Sequence, residues 1–387
     1  MYIKIKAVLK TPLMIGGKTL NSNYKKSRDY IPGSVLRAAF ARELIQACPY
    51  PHENNWLSCK KTQECSNCRF CGLCRNFSNI KFPALYLLGG KPYPATARID
   101  KYGEKETKEI RDILKSRLKN SSPGEEEENW EKLQGFYKEG KQLKAIYQTI
   151  TRTAIDYTRH TAKNNALFTQ NTVAGLWSEE TGQSMEAVFA GETELFPNEM
   201  EEIKKIDMLH IGANTTAGMG LCEMQYEETE ATDTLEEMES RIQMFQHEEG
   251  DDYVLSVDLL SDAYLQMEEL KGDSGEVADE EFLKFLEQRI GLPREFHLIK
   301  VFKNQDVLRG FDTSRPTERE MRRKPQIVVK AGAVFVYKVK KEKLKENLEG
   351  LLKIEQTGIG KNTLHGFGKV RICDEFHEKY DVVKRRR

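Results

Sequence analysis

One glycine-rich stretch occurs twice in this sequence, and the repeat limits what the chain can fold into. The first copy, IGANTTAGMGLCEM, begins at Ile211, and the second, IGKNTLHGFGKVRI, begins 148 residues later at Ile359. Five residues of the second copy match the first: Gly360, Asn362, Thr363, Gly366 and Gly368 correspond to Gly212, Asn214, Thr215, Gly218 and Gly220. Two copies at a constant offset indicate a duplicated domain, so the fold that needs this loop is expected twice.

The segments around the two copies predict a similar order of strands and helices. The N-terminal YIKIKAVL alternates apolar and polar residues as a half-buried strand does, and YVLSVDLL from Tyr253 is predicted as its counterpart. The stretch VLRAAFARELI predicts an amphipathic helix with Ser34 as its N-cap. In the second half we expect a helix over residues 280–290, strands at IVVKAG and AVFVYKV, and a helix at LKENLEGLL. This order predicts an α+β fold of two tandem ferredoxin-like (RRM-like) domains with glycine-rich loops.

Changes of composition along the chain predict its domain boundaries. The stretch EETEATDTLEEME has seven acids and no base, which favours a linker. In the charged region after Lys101, the residues Ile110, Ile113, Leu114 and Leu118 are predicted to share one helix face. We expect an N-terminal domain at 1–226 with a Cys-rich insertion at 48–78 and a charged, partly helical insertion at 101–148, an acidic linker at 227–252, and a C-terminal domain at 253–387.

The charge and hydropathy of the chain limit its partners. There are 60 Lys or Arg and 60 Asp or Glu residues, so the net charge is zero. This balance argues against nucleic-acid binding over the whole surface but leaves local basic patches open. No window approaches the length of a membrane span, and the N-terminus lacks the apolar core of a signal peptide. We therefore expect a cytoplasmic protein without membrane association.

The glycine loops permit a steric and a functional interpretation. A turn with positive φ and close backbone approach needs glycine for steric reasons alone. Successive glycines can also expose backbone N–H groups to phosphate oxygens. Neither loop matches a nucleotide motif, because the first has no Lys-Ser or Lys-Thr after its second Gly and GIGKNT lacks the third Gly of a dinucleotide fingerprint. One loop alone favours the steric interpretation, whereas two copies at identical spacing favour RNA binding.

Several stretches together resemble the RAMP superfamily, the RNA-binding subunits of CRISPR–Cas effector complexes. The pattern G-x5-G-x-G near the end of each half resembles the signature loop of that family. TPLMIGG and YIPGSVLRAAFARELI look like its first loop and helix start, and TRTAIDYTRHTAKNNALFTQNTVAG is similar to the hairpin that these proteins extend along guide RNA. RGFDTSRPTEREMRRKPQIVVKAGAVFVYKV resembles the second domain of the two-domain Cas group 5 subunits of type III complexes, above all those of type III-D.

This resemblance implies a binding function and a set of partners. Group 5 subunits hold the 5′ tag of the CRISPR RNA and contact the large polymerase-like subunit and the first backbone RAMP subunit in antiviral defence. Single-stranded RNA is held by phosphate contacts and base stacking, and a helix N-terminus can accept a phosphate. The expected RNA contacts are Lys18, Lys25, Lys26, Arg28, Ser34, Arg37, Arg159, Gly218, Gly220, Arg309, Arg315, Arg322, Arg323, Lys361, Gly366 and Gly368, with Tyr24, Tyr30, Tyr157 and Phe311 as candidate stacking platforms.

A catalytic role is not expected from the sequence. Target-cutting members of the RAMP superfamily carry an acid within the loop before the Ile-Pro-Gly helix start. In this sequence the only acid of that loop, Asp29, directly precedes Tyr30. The alternative is a metal-independent CRISPR-RNA-processing endoribonuclease. In that case His160, His210 or His365 would act as the general acid or base.

A cysteine cluster predicts a structural metal. CSNCRFCGLC supplies Cys65, Cys68, Cys71 and Cys74, and Cys59 lies nearby. The spacing is close to that of a bacterial ferredoxin, but its last gap has two residues instead of three. We therefore expect one structural zinc ion, bound by Cys71 and Cys74 with partners from among the other three thiolates. A cysteine-cluster redox or zinc-ribbon protein unrelated to CRISPR is the third alternative.

Overall fold

The three-dimensional structure, a computed structural model, covers most of the chain. The residues that it describes are 1–16, 19–21, 23–48, 57, 65, 68–102, 109–119, 129–156, 158–178, 182–230, 234–245, 247–249, 252–267, 274–308 and 324–381.

The first half is α+β and rich in strands. Its strands are β1 (Tyr2–Leu9), β2 (Thr19–Asn21), β3 (Tyr24–Lys26), β4 (Tyr30–Ile31), β5 (Leu85–Leu87), β6 (Lys91–Pro92), β7 (Ala97–Asp100), β8 (Ile110–Asp112), β9 (Trp130–Lys132), β10 (Phe136–Lys138), β11 (Lys141–Asp156), β12 (Thr161–Ser178), β13 (Gln183–Met185), β14 (Val188–Glu194), β15 (Met208–His210) and β16 (Leu221–Thr229). Its helices are α1 (Gly33–Ala47), α2 (Cys71–Asn76), α3 (Leu114–Lys119) and α4 (Pro197–Ile203).

The second half combines one large sheet with five helices among the described residues. Its strands are β17 (His247–Glu249), β18 (Asp252–Leu259), β19 (Ala263–Met267), β20 (Ser274–Val277), β21 (His297–Leu308), β22 (Gln326–Val329), β23 (Val334–Lys340) and β24 (Val370–Ile372). Its helices are α5 (Leu235–Phe245), α6 (Glu280–Ile290), α7 (Lys341–Glu346), α8 (Leu348–Thr357) and α9 (Phe376–Lys379).

The two main sheets place their first strand in equivalent surroundings. The first sheet has the order β15-β16-β1-β14-β5-β4, and β1 pairs antiparallel with both β14 and β16. In the second sheet, β18 pairs antiparallel with β23 and β24. Strands β16 and β24 each follow a glycine loop directly. The repeated loop therefore delivers the chain into the same position beside the first strand of each half.

The alternation of residues in β1 explains why this strand lies at the centre of its sheet. Ile3, Ile5 and Ala7 are fully buried. Lys4 and Lys6 point to the opposite face, where they form ion pairs with Glu192 and Glu227 on the neighbouring strands. Fully burying an aliphatic side chain of this size stabilises the fold by about 1.5–3 kcal/mol. A period of two residues thus fixes which face of the sheet joins the core.

The stretch predicted to form a hairpin does so. Strands β11 and β12 pair antiparallel from Lys144↔Trp177 to Asp156↔Thr161, with two bulges. Strand β3 adds to this ribbon in parallel with β12, and β10 and β6 continue the sheet on the other side. The ribbon therefore connects the loop before α1 to a long projecting hairpin.

In the charged region after Lys101, the described residues form more strand than helix. Ile110 lies in β8, which pairs with β7 in a three-stranded sheet of order β8-β7-β9, so the predicted helix face that included Ile110 is wrong. Among the described residues of this region, only Leu114–Lys119 is helical. Pairing with β7 outweighs the local helical pattern, because a short segment takes much of its stability from its partners.

Two further segments differ from their expected local structure. Helix α1 begins at Gly33 with Pro32 at the N-cap position, so Ser34 lies in the first turn and does not cap the helix. The carbonyl of Pro32 accepts from the amides of Val35 and Leu36, which starts the helical hydrogen bonds. The acidic segment 227–252 contains α5, whose apolar face packs on the second core.

The buried apolar residues of the described part of the chain form two main clusters and one small cluster. One cluster is built from residues between Ile3 and Met224, and the other from residues between Met238 and Cys373 together with Leu114. The small cluster, Tyr93, Ala97, Leu133, Phe376 and Tyr380, joins the region after β6 to the C-terminal helix α9. In the part of the chain that the structure describes, no helix has the length and apolarity needed to cross a membrane.

Candidate nucleic-acid interface

The two glycine loops have the same backbone conformation. Asn214 and Asn362 both have φ of 60° in the left-handed region, and each begins a single 3-10 turn. Gly218 and Gly366 end these turns with φ of 80°. Left-handed backbone favours glycine and asparagine, which explains these residue types at these positions.

Each loop is also closed by an equivalent steric contact. A Cβ atom on Gly220 would lie 1.9 Å from the carbonyl oxygen of Ile211, and one on Gly368 would lie 1.9 Å from that of Ile359. The amide of Ile211 donates to Gly220 O and that of Ile359 to Gly368 O, both at 2.8 Å. The steric interpretation is therefore sufficient for Gly220 and Gly368.

Each loop is anchored to the segment that follows the first strand of its own half. In the first loop, Ala213 N donates to Met14 O at 2.7 Å and Gly220 N to Pro12 O at 3.0 Å. In the second loop, Lys361 N donates to Tyr264 O at 3.0 Å and Gly368 N to Asp262 O at 2.9 Å. The two copies thus share both the shape of the loop and its support.

The second loop is covered by the first half of the chain. Gly366 is buried, and a Cβ there would lie 2.6 Å from Phe82 O and 3.0 Å from Ala84 N. The amide of Phe82 donates to Leu364 O at 2.9 Å. A Cβ on Gly33, the first residue of α1, would lie 2.6 Å from His365 O. The second loop is therefore packed between α1 and residues 82–84, at the junction of the two halves.

The first loop, in contrast, is open at the equivalent position. Gly218 is exposed, and no described atom comes within 4 Å of a Cβ built on it. Two side chains hold the loop from either side. Asn214 Nδ2 donates to Gln170 Oε1 of β12 at 3.0 Å, and Arg42 Nη1 of α1 donates to Thr215 Oγ1 at 2.7 Å. The loop is positioned firmly while its tip stays accessible.

One of the two exposed lysines of β3 lies on the same face of the ribbon as the open loop. In the parallel pairing of β3 with β12, Lys25 is opposite Gln170 and Lys26 is opposite Asn171. Because side chains alternate along a strand, Lys25 shares the face of Gln170, which binds Asn214 of the first loop. Lys26 lies on the other face, where its Nζ is 4.4 Å from the centroid of the Tyr147 ring. We refer to Lys25, Arg42, Asn214, Thr215 and Gly218 as the loop-1 surface.

The hairpin extends the basic character away from this surface. Arg159 is exposed at the tip, where Asp156 Oδ1 accepts from the amides of Thr158 and Arg159 and shapes the turn. Five cations and one anion lie on the described hairpin strands and turn: Lys141, Lys144, Arg152, Arg159, Lys163 and Asp156. Nine residues of β12 separate Gln170 from the start of that strand, which corresponds to roughly 30 Å. The hairpin can therefore track an extended polyanion that passes the loop-1 surface.

Arg28, predicted as an RNA contact, lies at the junction of the halves instead. Its Nη1 donates to the hydroxyl of Tyr30 at 2.6 Å and lies 3.6 Å from Asp262 Oδ2, and Tyr30 itself donates to Asp262 at 2.8 Å. Burial opposes the charge of Arg28, but Tyr30, Asp262 and Asp306 outweigh it and raise the pKa of the guanidinium. Tyr30, a candidate stacking platform, is likewise used by this network and by ring contacts with Tyr86.

Ser34 and Arg37 also lie away from Lys25. Ser34 is in the first turn of α1, whose N-terminus is covered by the second loop. Arg37 Nη1 donates to Ile80 O at 3.2 Å, and its guanidinium lies 4.6 Å from the Phe77 ring centroid. Burial lowers the pKa of Arg37. Both residues therefore contribute to packing around α1.

The remaining predicted contacts divide into two groups. Lys361, Gly366 and Gly368 belong to the second loop, where Lys361 is exposed and both glycines are buried. Lys18, Arg309, Arg315, Arg322 and Arg323 lie outside the described residues, as do Tyr157 and Phe311. The structure thus places Lys25 on the face of β12 that holds the first loop with Gly218 and Gly220, and it places Lys26 on the opposite face.

Comparison with protein families assigns the chain. A family model described as the RAMP superfamily matches residues 6–223, more than half of the sequence. The chain belongs to the RAMP superfamily. No curated protein matches it. Among solved structures, a chain of the Type III-B Cmr-beta bound to cognate target RNA and AMPPnP is 13% identical with a TM-score of 0.40, and 86% of each chain is covered. A chain of the Type III-B Cmr-beta bound to cognate target RNA is 12% identical with a TM-score of 0.41, covering 93% of this chain and 96% of that one.

Sequence reasoning missed Gln170, which joins the first loop of this RAMP chain to Lys25 of β3. The signal was indirect. Asn214 recurs in the repeat as Asn362, and asparagine is one of the residues that tolerate the left-handed conformation of this turn. Its partner on β12 comes from a segment 44 residues earlier, so only the fold identifies it.

The three histidines of the endoribonuclease alternative lie on different elements of this RAMP chain. His160 is at the exposed hairpin tip, His210 is at the end of the edge strand β15, and His365 is inside the second loop. The structure therefore does not bring them together at one site.

The cysteine segment is described only in part. Cys65 is buried, and Cys68, Cys71 and Cys74 are partly buried, with the last two on α2. Glu202 accepts from the amides of Gly72 and Leu73 at the N-terminus of this helix. Cys59 lies outside the described residues. Within the described part, no group of three or more His, Cys, Asp or Glu residues is placed to hold a metal ion, so these cysteines do not form a complete site.

Proposed function

We propose that this RAMP chain is an RNA-binding subunit of a type III CRISPR effector complex, of Cas group 5 and of type III-D. In this role it holds the 5′ tag of the CRISPR RNA and contacts the large polymerase-like subunit and the first backbone RAMP subunit. Membership of the RAMP superfamily supports the general assignment. The sequence features shared with group 5 subunits support the finer one.

The observation that carries the proposal is the open first glycine loop beside Lys25. Its left-handed residues turn the backbone sharply, and a glycine without neighbours lets a ligand approach the main chain closely. Lys25 adds positive charge on the face of β12 that holds the loop. Main-chain groups and lysines together bind phosphate without reading sequence, which suits an RNA held by its backbone.

The hairpin gives this proposed site a direction. An RNA strand that contacts Lys25 can continue along β12 toward Arg159, over the roughly 30 Å that the strand spans. Since phosphate contacts release counterions, binding should weaken with salt, with a log–log slope of about −0.7 per contact for a single strand. The proposed interface comprises the loop-1 surface and the basic hairpin.

We further propose that the two halves are tandem ferredoxin-like domains near 1–226 and 253–387. In the first half, β1 pairs with β14 and with β16, which follows the first glycine loop. In the second half, β18 pairs with β23 and with β24, which follows the second glycine loop. This matched arrangement supports the proposal. Since α5 packs its Met238 and Phe245 into the second core, we assign that helix to the second half.

We propose that the chain acts by binding and not by catalysis. The support is from the sequence, because the only acid of the loop before the Ile-Pro-Gly helix start, Asp29, directly precedes Tyr30 and does not lie within the loop. The test is incubation of the purified chain with labelled repeat RNA and no metal. Multiple-turnover cutting that is abolished by replacing His160, His210 or His365 with Ala would contradict the proposal.

The zinc ion remains a separate proposal that rests on the cysteine spacing. Because the described cysteines do not form a complete site, Cys59 or another residue outside the described part would have to complete it. Four thiolates would leave no open position, so the ion would stabilise the segment only. Metal analysis should find about one zinc per chain, and Cys71→Ser should lower the stability of the first half. Iron with acid-labile sulfide would contradict it.

The functional proposal is tested by what the chain retains in an assembled complex. Co-expression with the other effector subunits and a CRISPR array should yield a short RNA with a uniform 5′ end. Replacing both Lys25 and Lys26 with Glu should lower the amount of bound guide per complex, whereas Lys345→Glu, an exposed lysine on α7, should not. Full guide occupancy in the double variant would contradict the loop-1 surface as the binding site.

A further inference from the structure

A buried histidine joins three elements at the junction of the two halves. His377 of α9 is fully buried, its Nδ1 lies 2.8 Å from Asp112 Oδ2 of β8, and its Nε2 lies 2.6 Å from Asp258 Oδ1 of β18. A neutral imidazole has one N–H and can donate to only one of two ionised carboxylates. Hydrogen bonds to both therefore require a protonated ring. We refer to Asp112, Asp258 and His377 as the carboxylate–histidine joint.

The two carboxylates of the joint depend on the proton of the ring. Asp258 Oδ2 also accepts from Ser256 Oγ at 2.7 Å and from the amide of Asp374 at 3.1 Å, whereas Asp258 Oδ1 faces the ring. Asp112 Oδ1 is buried and has no hydrogen-bond partner among the described residues, so Asp112 relies on the ring through Oδ2. Either neutral tautomer would leave one of these two ring-facing oxygens without its donor. A buried carboxylate that loses its donor costs free energy.

The lysines around the ring pair with other acids. Lys115 of α3 pairs with Glu378 of α9 and lies 3.8 Å from Asp381. Lys91 of β6 lies 3.0 Å from Asp374, which precedes α9. Each of these acids thus has a cation beside it that is not the imidazolium.

The cations of β24 and α5 also pair with other acids. Arg371 of β24 lies 3.7 Å from Asp374, and Arg241 of α5 forms a buried pair with Glu355. Helix α5 faces the imidazole with the ring of Phe245, edge-on and with the centroids 6.1 Å apart. The imidazolium is therefore the cation that lies between the two carboxylates of the joint.

The ring is also the group of the joint that changes its charge near neutral pH. Burial raises the pKa of the neighbouring Tyr137 hydroxyl and Cys373 thiol, so both stay neutral. Burial lowers the pKa of His377, but Asp258 and Asp112 outweigh it and raise that pKa well above the ordinary 6.5. The closed joint therefore keeps its proton at a pH at which an exposed histidine has lost it.

The joint holds a part of the junction that has few other contacts. The sheet of order β8-β7-β9 is separate from the other described sheets, and α9 has only four residues. A helix this short takes its stability from tertiary packing. Besides the joint and the Lys115 pairs, β8 meets the end of α9 through the Asp112 amide, which donates to Tyr380 O at 2.8 Å, and the small core cluster packs beside them. Regions with few buried contacts open without global unfolding.

We propose that the carboxylate–histidine joint is a proton-dependent latch: when His377 loses its proton, β8 and α9 separate while both main cores stay folded. The open state exposes an ordinary histidine, so the closed state holds one proton more from about pH 6.5 up to the raised value. The latch is most stable below this range, and inside it opening becomes about tenfold easier with each pH unit. None of its groups belongs to the loop-1 surface, so the latch does not depend on the proposed RNA contact.

Hydrogen–deuterium exchange of the full chain as a function of pH tests the latch. After correction for intrinsic exchange rates, peptides covering 110–112 and 376–380 should lose protection about tenfold per pH unit between about pH 6.5 and pH 8.5. At every pH they should also be less protected than peptides covering β1 and β18, because the latch opens without the cores. Protection at 110–112 and 376–380 that does not change with pH, or that equals protection of the cores, would overturn the proposal.

A variant and a direct measurement of the ring complete the test. His377→Gln should show low protection of the same peptides at every pH, without the tenfold dependence. His297→Gln is the matched control, because the His297 side chain is 73% exposed, and it should keep the wild-type pH dependence. Nitrogen NMR of the wild-type histidine rings does not depend on whether the variant folds. Both ring nitrogens of His377 should carry a proton at about pH 7.5, and a neutral ring at that pH would overturn the proposal.

Discussion

The first and second glycine loops have the same backbone conformation but different environments. Their residues have matching φ angles at Asn214 and Asn362 and at Gly218 and Gly366. Yet Gly218 faces open space, whereas Gly366 lies against the main chain at residues 82–84. The first loop is held at its edges by Arg42 and Gln170, and the second is covered by the start of α1.

This difference shows that the two copies share the shape of the loop but not its surroundings. Both loops need glycine at the same positions to fold. Only the first has an accessible tip next to an exposed lysine of β3, and for that reason we propose it as the RNA contact. The second is part of the junction between the two halves.

The largest expected loss of stability is at the two glycines that make the same close backbone contact in both loops. Gly220→Ala and Gly368→Ala should each lower the free energy of unfolding by about 3–5 kcal/mol, because both add left-handed strain and a Cβ that overlaps a carbonyl oxygen. Urea denaturation of both variants measures this. Similar losses of stability would show that the same internal contact closes both loops. A loss at only one of them would contradict the structural equivalence of the two loops.

The next largest effect concerns a buried histidine that bonds to both halves of the chain at their junction. His377 lies between Asp112 Oδ2 at 2.8 Å and Asp258 Oδ1 at 2.6 Å, and it is fully buried. Burial alone would lower its pKa, but the two carboxylates outweigh burial and raise the pKa well above the ordinary 6.5. His377→Gln should therefore lower the free energy of unfolding near neutral pH by about 3 kcal/mol, since it leaves two buried carboxylates without their cation.

The pH dependence gives the sign of this contribution. A histidine whose pKa is raised in the folded state stabilises fully below the unfolded value, and this stabilisation is lost as the pH rises through the folded value. The wild-type protein should thus lose stability on the alkaline side, and His377→Gln should lack that limb. RNA affinity at the loop-1 surface should be unchanged in the variant. A large loss of RNA affinity without unfolding would mean that the junction itself carries the binding site.

The outer glycines separate the two loops directly. Gly366→Ala should cost about 2–4 kcal/mol, because strain adds to contacts with fixed backbone atoms, whereas Gly218→Ala should cost about 1 kcal/mol from strain alone. Thermal or urea unfolding of the matched pair measures the difference. Equal costs at the two positions would contradict the assignment of the second loop to the junction.

The smallest effect distinguishes the lysines beside the loops. Lys25→Gln should reduce the log–log salt slope of RNA binding by about 0.7, as expected for one lost phosphate contact. Lys361→Gln is the matched control, since Lys361 is an exposed lysine of the second loop. Binding by fluorescence anisotropy over a range of salt concentrations measures both. A larger effect at Lys361 than at Lys25 would reverse the assignment of the two loops.

Much of the local structure could be predicted from the sequence because it depends on short-range patterns. The alternation of Ile3, Ile5 and Ala7 indicated β1, and the predicted helix over residues 280–290 is confirmed as α6. The prediction for Ile110 is wrong because the local sequence pattern is helical, whereas the segment pairs with strand β7, which that pattern does not indicate. Tertiary pairing decided that segment.

The candidate site was predictable only in its parts. Lys25, Lys26 and Gly218 were identified from charge and repetition, but the repeat also implied that Gly366 would be equivalent. What separates them is a contact between residues 82–84 and the second loop, across more than 280 positions of sequence. The sequence likewise gives no signal that Arg28, predicted as an RNA contact, pairs with Tyr30 and Asp262 at the junction. Sequence patterns identify a loop, whereas its neighbours in the fold decide its use.

Hydrogen–deuterium exchange of the two loops, with and without guide RNA, tests the central claim most directly. In the free full-length protein, peptides covering 359–368 should already exchange slowly, because the second loop is packed at the junction. Peptides covering 211–220 should exchange faster and become protected when RNA is added. Protection by RNA in 359–368 together with no change in 211–220 would contradict the account.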